Sequence, residues 1–480
     1  MRRYPVRELM VLAAGALVCA AGCVAPPAAT ASRDARRYTA AAEVYPLCRE
    51  SVVTLGVSRR DEKDPKTTHT EFGSGVVLHE AGYILTNAHA LRYGGKAVAG
   101  FCDKREFPAR VVAVDEGKDL AILKVEVPGR ALKPIRLGHS RDLIVGERVV
   151  SMGSPFGMGL TVTEGVVSAL GRATKSEYTF YPDMVQTDAN PNPGGSGGPL
   201  LNVWGELVGL NTTMRAGAND IGFAIPVDRI RASLPEVLDA EGRFGFVLGL
   251  QVATDGPAQV TGVTRGSPAE AAGVRAGDVV TGAGPAVIAG GIDFYLALVE
   301  CRPGQALPMH LLRDGKAVNA TVTPGKVEPR AADSVSGVVG GLNCACYEGK
   351  WDRLPDFTLL RPAGAGKAAA FDLAPYRGKD NFALKFTGYI DIPADGIYAF
   401  YTASDEGSRL WIGDRLVVDN DGLHAKTERR GFLSLKAGKH PITVAYFERL
   451  RDEELKVSWE GPGIPKQPVP ASVLFSAGPG

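Results

Sequence analysis

Short apolar runs, broken at close intervals by glycine, proline and aspartate, dominate the chain from about Tyr38 to Leu238. Many short strands at close spacing, with turn residues between them, are typical of antiparallel barrels and sandwiches. The pattern therefore predicts a mainly β first unit. Its clearest strand candidates are Ser51–Leu55, Gly75–Leu78, Ala109–Val114 and Leu120–Val125.

Two further units follow along the chain. Residues 244–327 mix apolar strands with a short helical stretch, for which Ser267 is a suitable N-cap and Pro268 a suitable first residue. Small residues at 328–340 predict a linker, and an aromatic, β-rich unit at 341–476 follows it. With 480 residues the chain is too long for one core, so this division is expected.

The N-terminus resembles an export signal. Three arginines in the first seven residues precede Val11–Ala21, an apolar stretch too short to span a bilayer comfortably. Small residues then precede Cys23, which resembles the lipobox of bacterial lipoproteins, although Ala20 stands where leucine is usual. We expect a lipoprotein signal peptide at 1–23 with Cys23 lipidated, and a flexible linker at 24–37.

Ordinary cleavage near Ala29–Ala31 is the alternative to lipidation, and both cases place the protein outside the cytoplasm, in the periplasm or cell envelope. The formal net charge of +1 gives no electrostatic argument for nucleic acid or a membrane surface. Basic stripes with interleaved aromatic residues are absent from the sequence, so nucleic-acid binding is not expected.

Export changes the interpretation of the cysteines, because an oxidising compartment permits disulfides. Five cysteines follow the signal, and an odd number cannot all pair within the chain. We expect a Cys48–Cys102 bridge, since both lie in the first unit. Cys301, Cys344 and Cys346 are candidates for a metal cluster, but no nearby histidine completes the ligand set, and a structural role or partial disulfide pairing is favoured.

Three segments of the first unit carry the side chains that nucleophilic hydrolysis requires. A serine hydroxyl needs an adjacent base, which makes Ser196 the candidate nucleophile and His89 its base. A carboxylate behind the imidazole fixes its tautomer, and Asp119 is the candidate. Each motif alone is often only a turn or a satisfied polar group. Their combination in one β-rich unit favours a shared catalytic role over three independent coincidences.

The glycines around the serine have a separate role. They allow the backbone to turn sharply, so that amide N–H groups point at a developing oxyanion. We assign the oxyanion hole to Gly194, Gly195 and Ser196, with the N–H groups of Gly194 and Ser196 as donors.

Several motifs of the first unit resemble the HtrA/Deg family of trypsin-like, double β-barrel proteases of protein quality control. This resemblance implies His89, Asp119 and Ser196 as a catalytic triad, misfolded or exposed polypeptides as substrates, a homotrimer, and no cofactor. The motifs that carry it are Gly153–Gly157, Thr163–Arg172, Gln186–Ala189 and Ile221–Pro226.

The chain departs from the family pattern at three places. Gly195 stands where the family usually has asparagine, and a more flexible loop there is compatible with an inactive resting arrangement. Asn190 and Pro191 replace the Ala-Ile pair that commonly lines the specificity pocket, so no side-chain preference is carried over. The Ser58–Glu71 stretch is short and charged, and we expect no long lid there.

The second unit resembles a PDZ domain through Phe246–Leu250, Gly266–Val274 and Gly277–Val280. A loop of this kind presents backbone N–H groups to a peptide carboxylate while the peptide adds as a strand. The resemblance implies that C-terminal peptides bind here. A packing module without a ligand is the alternative. The predicted peptide-binding residues are Val247, Leu248, Gly249 and Leu250.

The third unit resembles the protective-antigen-type (PA-fourteen) β-sandwich. Alternating apolar residues in Ile390–Tyr401 predict a half-buried strand. Family members often bind carbohydrate, some through Ca²⁺, which implies a glycan or cell-wall ligand, with protein docking as the alternative. The matching segments are Tyr347–Asp352, Phe386–Pro393, Gly396–Tyr401, Ser404–Ile412, Val418–His424 and Tyr446–Glu448.

The Ca²⁺ site itself is a weak expectation. Adjacent aspartates hold the ion in the family, whereas this chain has Asp405 followed by Glu406. Asp419, Asn420 and Asp421 could supply hard-cation ligands. An ordinary turn with solvated carboxylates is an equally good interpretation.

The sequence thus predicts an exported serine endopeptidase of three domains that acts through an acyl-enzyme on Ser196. Two alternatives remain from other classes. One is a holdase-like chaperone that binds unfolded chains and rarely cleaves them. The other is a cell-surface binding protein that carries the protease as a passenger. Retention of all three triad residues favours the protease.

Overall fold

The computed structural model of the chain describes residues 39–60, 68–91, 95–129, 131–175, 180–189, 194–214, 221–376, 378–424, 426–449 and 453–478. The predicted signal peptide at 1–23, the linker at 24–37 and the Asn190-Pro191 pair lie outside these residues. Strands predominate in the described part of the chain, which confirms the predicted mainly β fold.

The first barrel is closed, with the strand order β1-β2-β3-β6-β5-β4. A helix, α1 (Ala40–Cys48), leads into it, and the Thr39 hydroxyl caps that helix by accepting the N–H of Ala42 at 3.3 Å. The four strands predicted from the apolar runs correspond to β1, β2, β5 and β6, except that Ser51 lies in the 3₁₀ turn before β1. The strands are β1 (Val52–Arg60), β2 (Thr68–His79), β3 (Tyr83–Thr86), β4 (Lys96–Gly100), β5 (Glu106–Asp115) and β6 (Leu120–Val125).

The second barrel follows directly. Its order is β11-β8-β9-β10-β13-β12, the pairing of β11 with β12 closes the ring, and β7 extends the sheet beside β12. The two barrels together form the predicted double β-barrel. The strands are β7 (Arg136–Leu137), β8 (Arg148–Gly153), β9 (Thr161–Lys175), β10 (Phe180–Thr187), β11 (Pro199–Leu201), β12 (Glu206–Met214) and β13 (Gly222–Pro226).

The β1–β2 hairpin contains the Ser58–Glu71 stretch, where no long lid is expected. The two strands pair from Val52 opposite Val76 to Arg60 opposite Thr68. Ser58–Arg60 and Thr68–Glu71 are therefore strand, and the connection between the strands is limited to 61–67, which lies outside the described residues.

Two helices, α2 (Val227–Leu238) and α3 (Ala240–Phe244), connect the second barrel to the next domain. That domain is a small αβ unit, and its Ser267 caps α4 as predicted, accepting the N–H of Glu270 at 3.2 Å. Its core includes the buried side chains of Phe246, Leu248 and Phe294. Its elements are β14 (Phe246–Val247), β15 (Leu250–Val252), β16 (Val260–Val263), α4 (Pro268–Ala271), β17 (Val279–Ala283), β18 (Ala286–Val287), α5 (Gly291–Leu298), β19 (Leu307–Arg313), β20 (Lys316–Val322) and β21 (Gly325–Lys326).

The C-terminal domain packs a larger sheet, with the path β22-β33-β25-β30-β27-β28, against a four-stranded sheet ordered β29-β26-β31-β32. β23 and β24 belong to the same larger sheet, where β23 pairs with both β25 and β24. The strands are β22 (Val338–Gly340), β23 (Leu342–Glu348), β24 (Gly364–Ala368), β25 (Phe382–Ile392), β26 (Gly396–Ser404), β27 (Ser408–Ile412), β28 (Arg415–Asn420), β29 (Thr427–Leu435), β30 (Gly438–Glu448), β31 (Leu455–Gly461), β32 (Ile464–Pro468) and β33 (Leu474–Ala477).

The prediction of one strand over Ile390–Tyr401 is wrong. β25 ends at Ile392 and β26 begins at Gly396, because Pro393 cannot donate a ladder hydrogen bond and the chain turns there. Residues 398–404 are all buried, on both faces of β26, and β26 lies centrally in the smaller sheet. The alternation seen in the sequence spans two strands of different sheets.

The cysteine predictions also require correction. All five described cysteines are free, so the expected Cys48–Cys102 bridge is wrong. Cys48 is buried at the end of α1, where its thiol donates to the carbonyl of Gly205 at 3.3 Å, whereas Cys102 is exposed in the turn after β4. Cys301 lies in the core of the second domain, apart from Cys344 and Cys346 on β23.

The second domain and the C-terminal sandwich both dock on the two barrels through defined contacts. Ile292 and Leu296 of α5 share a hydrophobic core with the barrels, and the Tyr83 hydroxyl donates to Glu300 Oε1 at 3.2 Å. Arg430 of β29 donates to the carbonyls of Val114, Glu236 and Val237. Within the described ranges, no helix is long and apolar enough to cross a membrane.

Candidate active site

His89 and Asp119 are brought together by two neighbouring strands of the first barrel. β3 ends at Thr86, and His89 follows in a short 3₁₀ turn, while Asp119 immediately precedes β6, the strand paired with β3. His89 Nδ1 lies 2.9 Å from Asp119 Oδ1, and the backbone N–H of His89 donates to the same oxygen at 3.0 Å. With Asp119 ionised, Nδ1 carries the hydrogen, and Nε2 is left as the basic nitrogen.

Asp119 is 1% exposed and is fixed by side chains from the second barrel. Its Oδ2 accepts the hydroxyls of Thr212 at 2.7 Å and Tyr181 at 2.9 Å. Burial alone would raise the pKa of Asp119, but the facing His89 and these hydrogen bonds outweigh it and hold the pKa below its usual value. The carboxylate therefore stays ionised behind the imidazole.

Ser196 comes from the second barrel, in the glycine-rich turn before β11. Its hydroxyl donates to the carbonyl of Thr212 at 2.7 Å. Thr212 thus contacts two of the predicted triad residues, Asp119 through its hydroxyl and Ser196 through its carbonyl. The three predicted residues lie together where the barrels meet. In this arrangement the serine proton is directed to the backbone, so a rotation of the side chain must precede attack.

Ser74 of β2 anchors the nucleophile turn to the first barrel. Its N–H donates to the carbonyl of Ser196 at 2.8 Å, and its hydroxyl donates to the carbonyl of Gly194 at 2.8 Å. The same hydroxyl accepts the N–H of Ser154 at 2.9 Å. Because the two carbonyls are held on one side, the orientation of the peptide groups in this turn depends on Ser74.

The glycines of this turn differ in what they require. Gly194 has a φ of 100° and Gly197 a φ of 84°, conformations that L-residues with a side chain rarely adopt. A Cβ at Gly197 would also collide with the carbonyl of Ser74. Gly195 is not in this region of backbone space. In the described part of the chain, the N–H groups of Gly194 and Ser196 donate to no protein acceptor.

The predicted peptide-binding loop, Val247 to Leu250, joins β14 to β15. The carbonyl of Leu248 accepts the N–H of Ala269, and the carbonyl of Gly249 accepts the N–H of Thr264. Gly249 has a φ of 78° in this turn, and a Cβ there would collide with Ser267. The N–H groups of Leu248 and Gly249 both donate to Glu241 Oε1, at 3.1 Å and 3.2 Å.

The weakly predicted cation ligands are engaged by protein groups. Asp405 Oδ1 accepts the N–H of Glu454 at 2.9 Å, and Asp419 pairs with Arg409 through two hydrogen bonds of 2.8 Å and 3.1 Å. Asp421 accepts the N–H of Leu354 at 2.8 Å. Among the residues that the structure describes, no group of three or more histidine, cysteine or acidic side chains is arranged to hold a metal ion.

Four residues that shape these sites were missed in the sequence. Ser74, Tyr181 and Thr212 lie on strands far along the chain from the residues they fix, and ordinary strand patterns surround them. Glu241 was overlooked because it lies just before the predicted second unit. Its distance of only seven residues from Leu248 was the one signal available.

Three family models match this chain: a trypsin-like peptidase domain at 73–210, a PDZ domain at 247–323 and a PA14 domain at 370–472. The matches fall in the double barrel, the small αβ unit and the sandwich, respectively.

The chain is also similar to curated proteins and to solved structures. It is 37% identical over 276 residues to "Putative serine protease HhoA" of Synechocystis sp., covering 52% of this chain and 69% of that protein. It is 35% identical over 269 residues to "Periplasmic pH-dependent serine endoprotease DegQ" of Escherichia coli, covering 52% and 58%. "HtrA-type protease AlgW with tripeptide" is 30% identical, covering 61% of this chain and 99% of that one, with a TM-score of 0.38.

The chain spans about three fifths of the length of the curated relatives it matches, with 64%, 69% and 58% of the first three covered.

Proposed function

Because the chain belongs to the HtrA/Deg family of trypsin-like serine proteases, we propose that it is a serine endopeptidase that acts through Ser196, His89 and Asp119. The observation that carries the proposal is the hydrogen-bonded pair of His89 and the buried, ionised Asp119. Thr212 connects this pair to Ser196, since its hydroxyl donates to Asp119 and its carbonyl accepts the Ser196 hydroxyl. The pair is assembled by one barrel and the nucleophile by the other, so the cleft between them is the substrate site.

In the proposed mechanism, the Ser196 hydroxyl rotates from the Thr212 carbonyl towards His89. Nε2 of His89 takes its proton as Oγ attacks the scissile carbonyl, and Asp119 stabilises the imidazolium that forms. The imidazolium then protonates the leaving amine, which leaves an acyl-enzyme on Ser196. Water, activated by His89 in the same way, hydrolyses that ester and restores the serine.

The oxyanion of the tetrahedral intermediate is assigned to the N–H groups of Gly194 and Ser196. Both donors lie on the turn that Ser74 holds, and neither donates to a protein acceptor in the described part of the chain. Donors fixed before the reaction stabilise developing charge without reorganising. Gly195 separates the two donors and permits the turn to change conformation.

The proposed substrates are misfolded or exposed polypeptides, as the family resemblance implies. The PDZ domain is proposed to capture C-terminal peptides at Val247, Leu248, Gly249 and Leu250, and the protease domains to assemble as a homotrimer. The domain limits we propose are 38–240 for the protease, 244–327 for the PDZ domain and 341–476 for the sandwich.

We place the protein in the periplasm or cell envelope. The basic, apolar and small-residue segments before Cys23 support export and lipidation at that cysteine, and the similar protein from Escherichia coli is named as periplasmic. The C-terminal sandwich is proposed to target the enzyme to a glycan, wall or protein partner. Calcium is not part of the proposal, because Asp405, Asp419 and Asp421 are each engaged by protein donors.

Casein hydrolysis by the purified chain and by Ser196→Ala tests the proposal. Removal of such a nucleophile lowers turnover by about a millionfold. Ser58→Ala, which removes an exposed hydroxyl on the β1–β2 hairpin that bonds Thr70 at 2.8 Å, is the matched control and should leave turnover unchanged. Equal turnover by the wild-type chain and Ser196→Ala would overturn the assignment.

A holdase-like chaperone is the second candidate, and one observation favours it. The Ser196 hydroxyl donates to the Thr212 carbonyl, which describes a resting arrangement. This second function would be supported if the wild-type chain and Ser196→Ala prevent the aggregation of an unfolded protein equally well and neither of them cleaves it.

A further inference from the structure

Among the described residues, β15 pairs only with β16, and Tyr295 of α5 contacts its other edge, so the proposed peptide groove lies between β15 and α5. A C-terminal peptide entering such a groove makes two kinds of contact: its carboxylate accepts loop N–H groups, and its backbone pairs with the strand edge. In this protein, two side chains of the domain and its preceding helix make these contacts in place of a peptide.

Glu241 occupies the carboxylate position. The N–H groups of Leu248 and Gly249 converge on its Oε1, and the carbonyls of these residues are turned to Ala269 and Thr264 on the other side of the loop. Consecutive N–H groups that converge on one oxygen form a site for a carboxylate. Burial raises the pKa of Glu241, although these hydrogen bonds oppose the rise, which shows that the carboxylate is poorly solvated.

Tyr295 of α5 occupies the strand edge. The Val252 N–H donates to the Tyr295 hydroxyl at 3.0 Å, and that hydroxyl donates to the Val252 carbonyl at 2.9 Å. A peptide strand added to β15 needs the same N–H and carbonyl. Burial raises the pKa of Tyr295, so its hydroxyl is also removed from water.

We propose that Glu241 and Tyr295 are internal occupants of the peptide groove, and that they restrict its ligands to polypeptides whose free C-terminal carboxylate can replace Glu241. The inference rests on the proposed capture of C-terminal peptides. An internal occupant lowers the apparent affinity for a peptide, because only the fraction of molecules with an open groove can bind it. Peptides that lack the terminal charge cannot compensate the loss of the Glu241 contact, and they are excluded.

The test uses the full chain carrying Ser196→Ala, so that peptides are bound and not cleaved. The probe is a short peptide ending in Ala-Val-Leu, with a free carboxylate or as the C-terminal amide, followed by calorimetry or fluorescence anisotropy. Glu241→Gln should bind the free-carboxylate peptide about tenfold more tightly than the unsubstituted Glu241 chain, because a neutral amide is a weaker acceptor of the two N–H groups. Tyr295→Phe should also tighten binding, and the amidated peptide should bind more weakly to every variant.

Glu270→Gln is the matched control. Glu270 lies in the same domain and its carboxylate also accepts a backbone N–H, that of Gly266 at 2.6 Å, but outside the groove. The affinity of Glu270→Gln for the free-carboxylate peptide should equal that of the unsubstituted chain. If thermal unfolding shows that Glu241→Gln does not fold, Tyr295→Phe decides the question.

Unchanged or weaker binding by the folded Glu241→Gln and Tyr295→Phe variants would overturn the inference. Binding of the amidated peptide as tightly as the free acid would do the same. If no variant binds either peptide, this inference and the proposed peptide capture both fail, while casein cleavage by the chain with Ser196 intact would still support the protease assignment.

Discussion

The catalytic cleft and the peptide groove each contain a carboxylate that accepts backbone N–H groups, but the surroundings of the two carboxylates differ. Asp119 accepts one backbone N–H, the His89 imidazole and the hydroxyls of Tyr181 and Thr212. Glu241 accepts two backbone N–H groups of a single loop.

This difference has an electrostatic consequence. For both carboxylates burial is the largest influence on the pKa and raises it, but at Asp119 the facing imidazole and hydroxyls reverse the direction. At Glu241 the two backbone hydrogen bonds do not outweigh burial, and the pKa stays raised. A carboxylate compensated from several elements is permanent, whereas one held by two amides is replaceable by a ligand of the same chemistry.

Asp119→Asn tests the permanent side of this comparison with the largest expected effect. An amide favours the wrong imidazole tautomer and cannot stabilise the imidazolium, so kcat for casein should fall about 10⁴-fold, as in other serine proteases of this type. The measurement is steady-state hydrolysis of labelled casein.

Asp395→Asn provides the control for that change. Asp395 pairs with Lys436 at 2.7 Å on the exposed surface of the sandwich, so its loss should leave turnover unaltered. A kcat for Asp119→Asn within about tenfold of the wild-type value would contradict the role assigned to Asp119.

Tyr181→Phe sharpens the comparison by making Asp119 less compensated. It removes one hydroxyl from Oδ2 and leaves the ring, and hydrogen bonds to charged groups contribute about 1.5–3 kcal/mol. We expect kcat to fall about tenfold with KM little changed, because the hydroxyl orients the carboxylate and does not touch substrate.

The matched control is Tyr398→Phe, which removes a hydroxyl that donates to the carbonyl of Ala394 at 2.9 Å in the sandwich. Equal kcat values for the two tyrosine variants would show that Tyr181 does not position Asp119. A rise in KM alone would place Tyr181 in substrate binding instead.

The smallest effect is a pair of opposite pH dependences. Because the folded-state pKa of Asp119 is lowered, its ionised form contributes stability above its unfolded pKa of about 3.9, and this is lost as pH falls through the folded value. Because the pKa of Glu241 is raised, ionisation costs stability at neutral pH, and the chain recovers it as pH falls through that raised value.

The measurement is Tm as a function of pH for the wild-type chain, Asp119→Asn and Glu241→Gln. The Tm of the wild type exceeds that of Asp119→Asn by an amount that should become smaller as the pH falls below about 4. The corresponding difference for Glu241→Gln should rise as pH falls from neutral through the raised pKa of Glu241, towards the ordinary glutamate value of about 4.3. Differences that move in the same direction would show that the two carboxylates are held alike.

Local patterns in the sequence were sufficient for the strand ends that carry the site, whereas the three domain types depended on the resemblance to known families. His89, Asp119 and Ser196 stand at strand ends with recognisable neighbours, and the structure brings them together. Ser74 and Thr212 were not predictable, since their roles depend on which strands the two barrels place opposite the nucleophile turn.

Two predictions failed for physical reasons that the sequence only partly contained. The Cys48–Cys102 bridge was inferred from the compartment and a shared domain, which do not determine the distance between two thiols. The single strand over Ile390–Tyr401 overlooked Pro393 as a turn signal. Glu241 shows a third kind of difficulty, because an internal carboxylate on a binding loop has no sequence motif.

The central claim is that His89 and Asp119 activate Ser196, and covalent labelling tests it most directly. The full chain is treated with a fluorophosphonate, which reacts with activated serines, and the modified residue is located by peptide mass spectrometry. The account predicts modification at Ser196, with labelling greatly slowed in His89→Ala and Asp119→Asn. Labelling at another serine, or labelling of Ser196 at an equal rate in all three proteins, would contradict it.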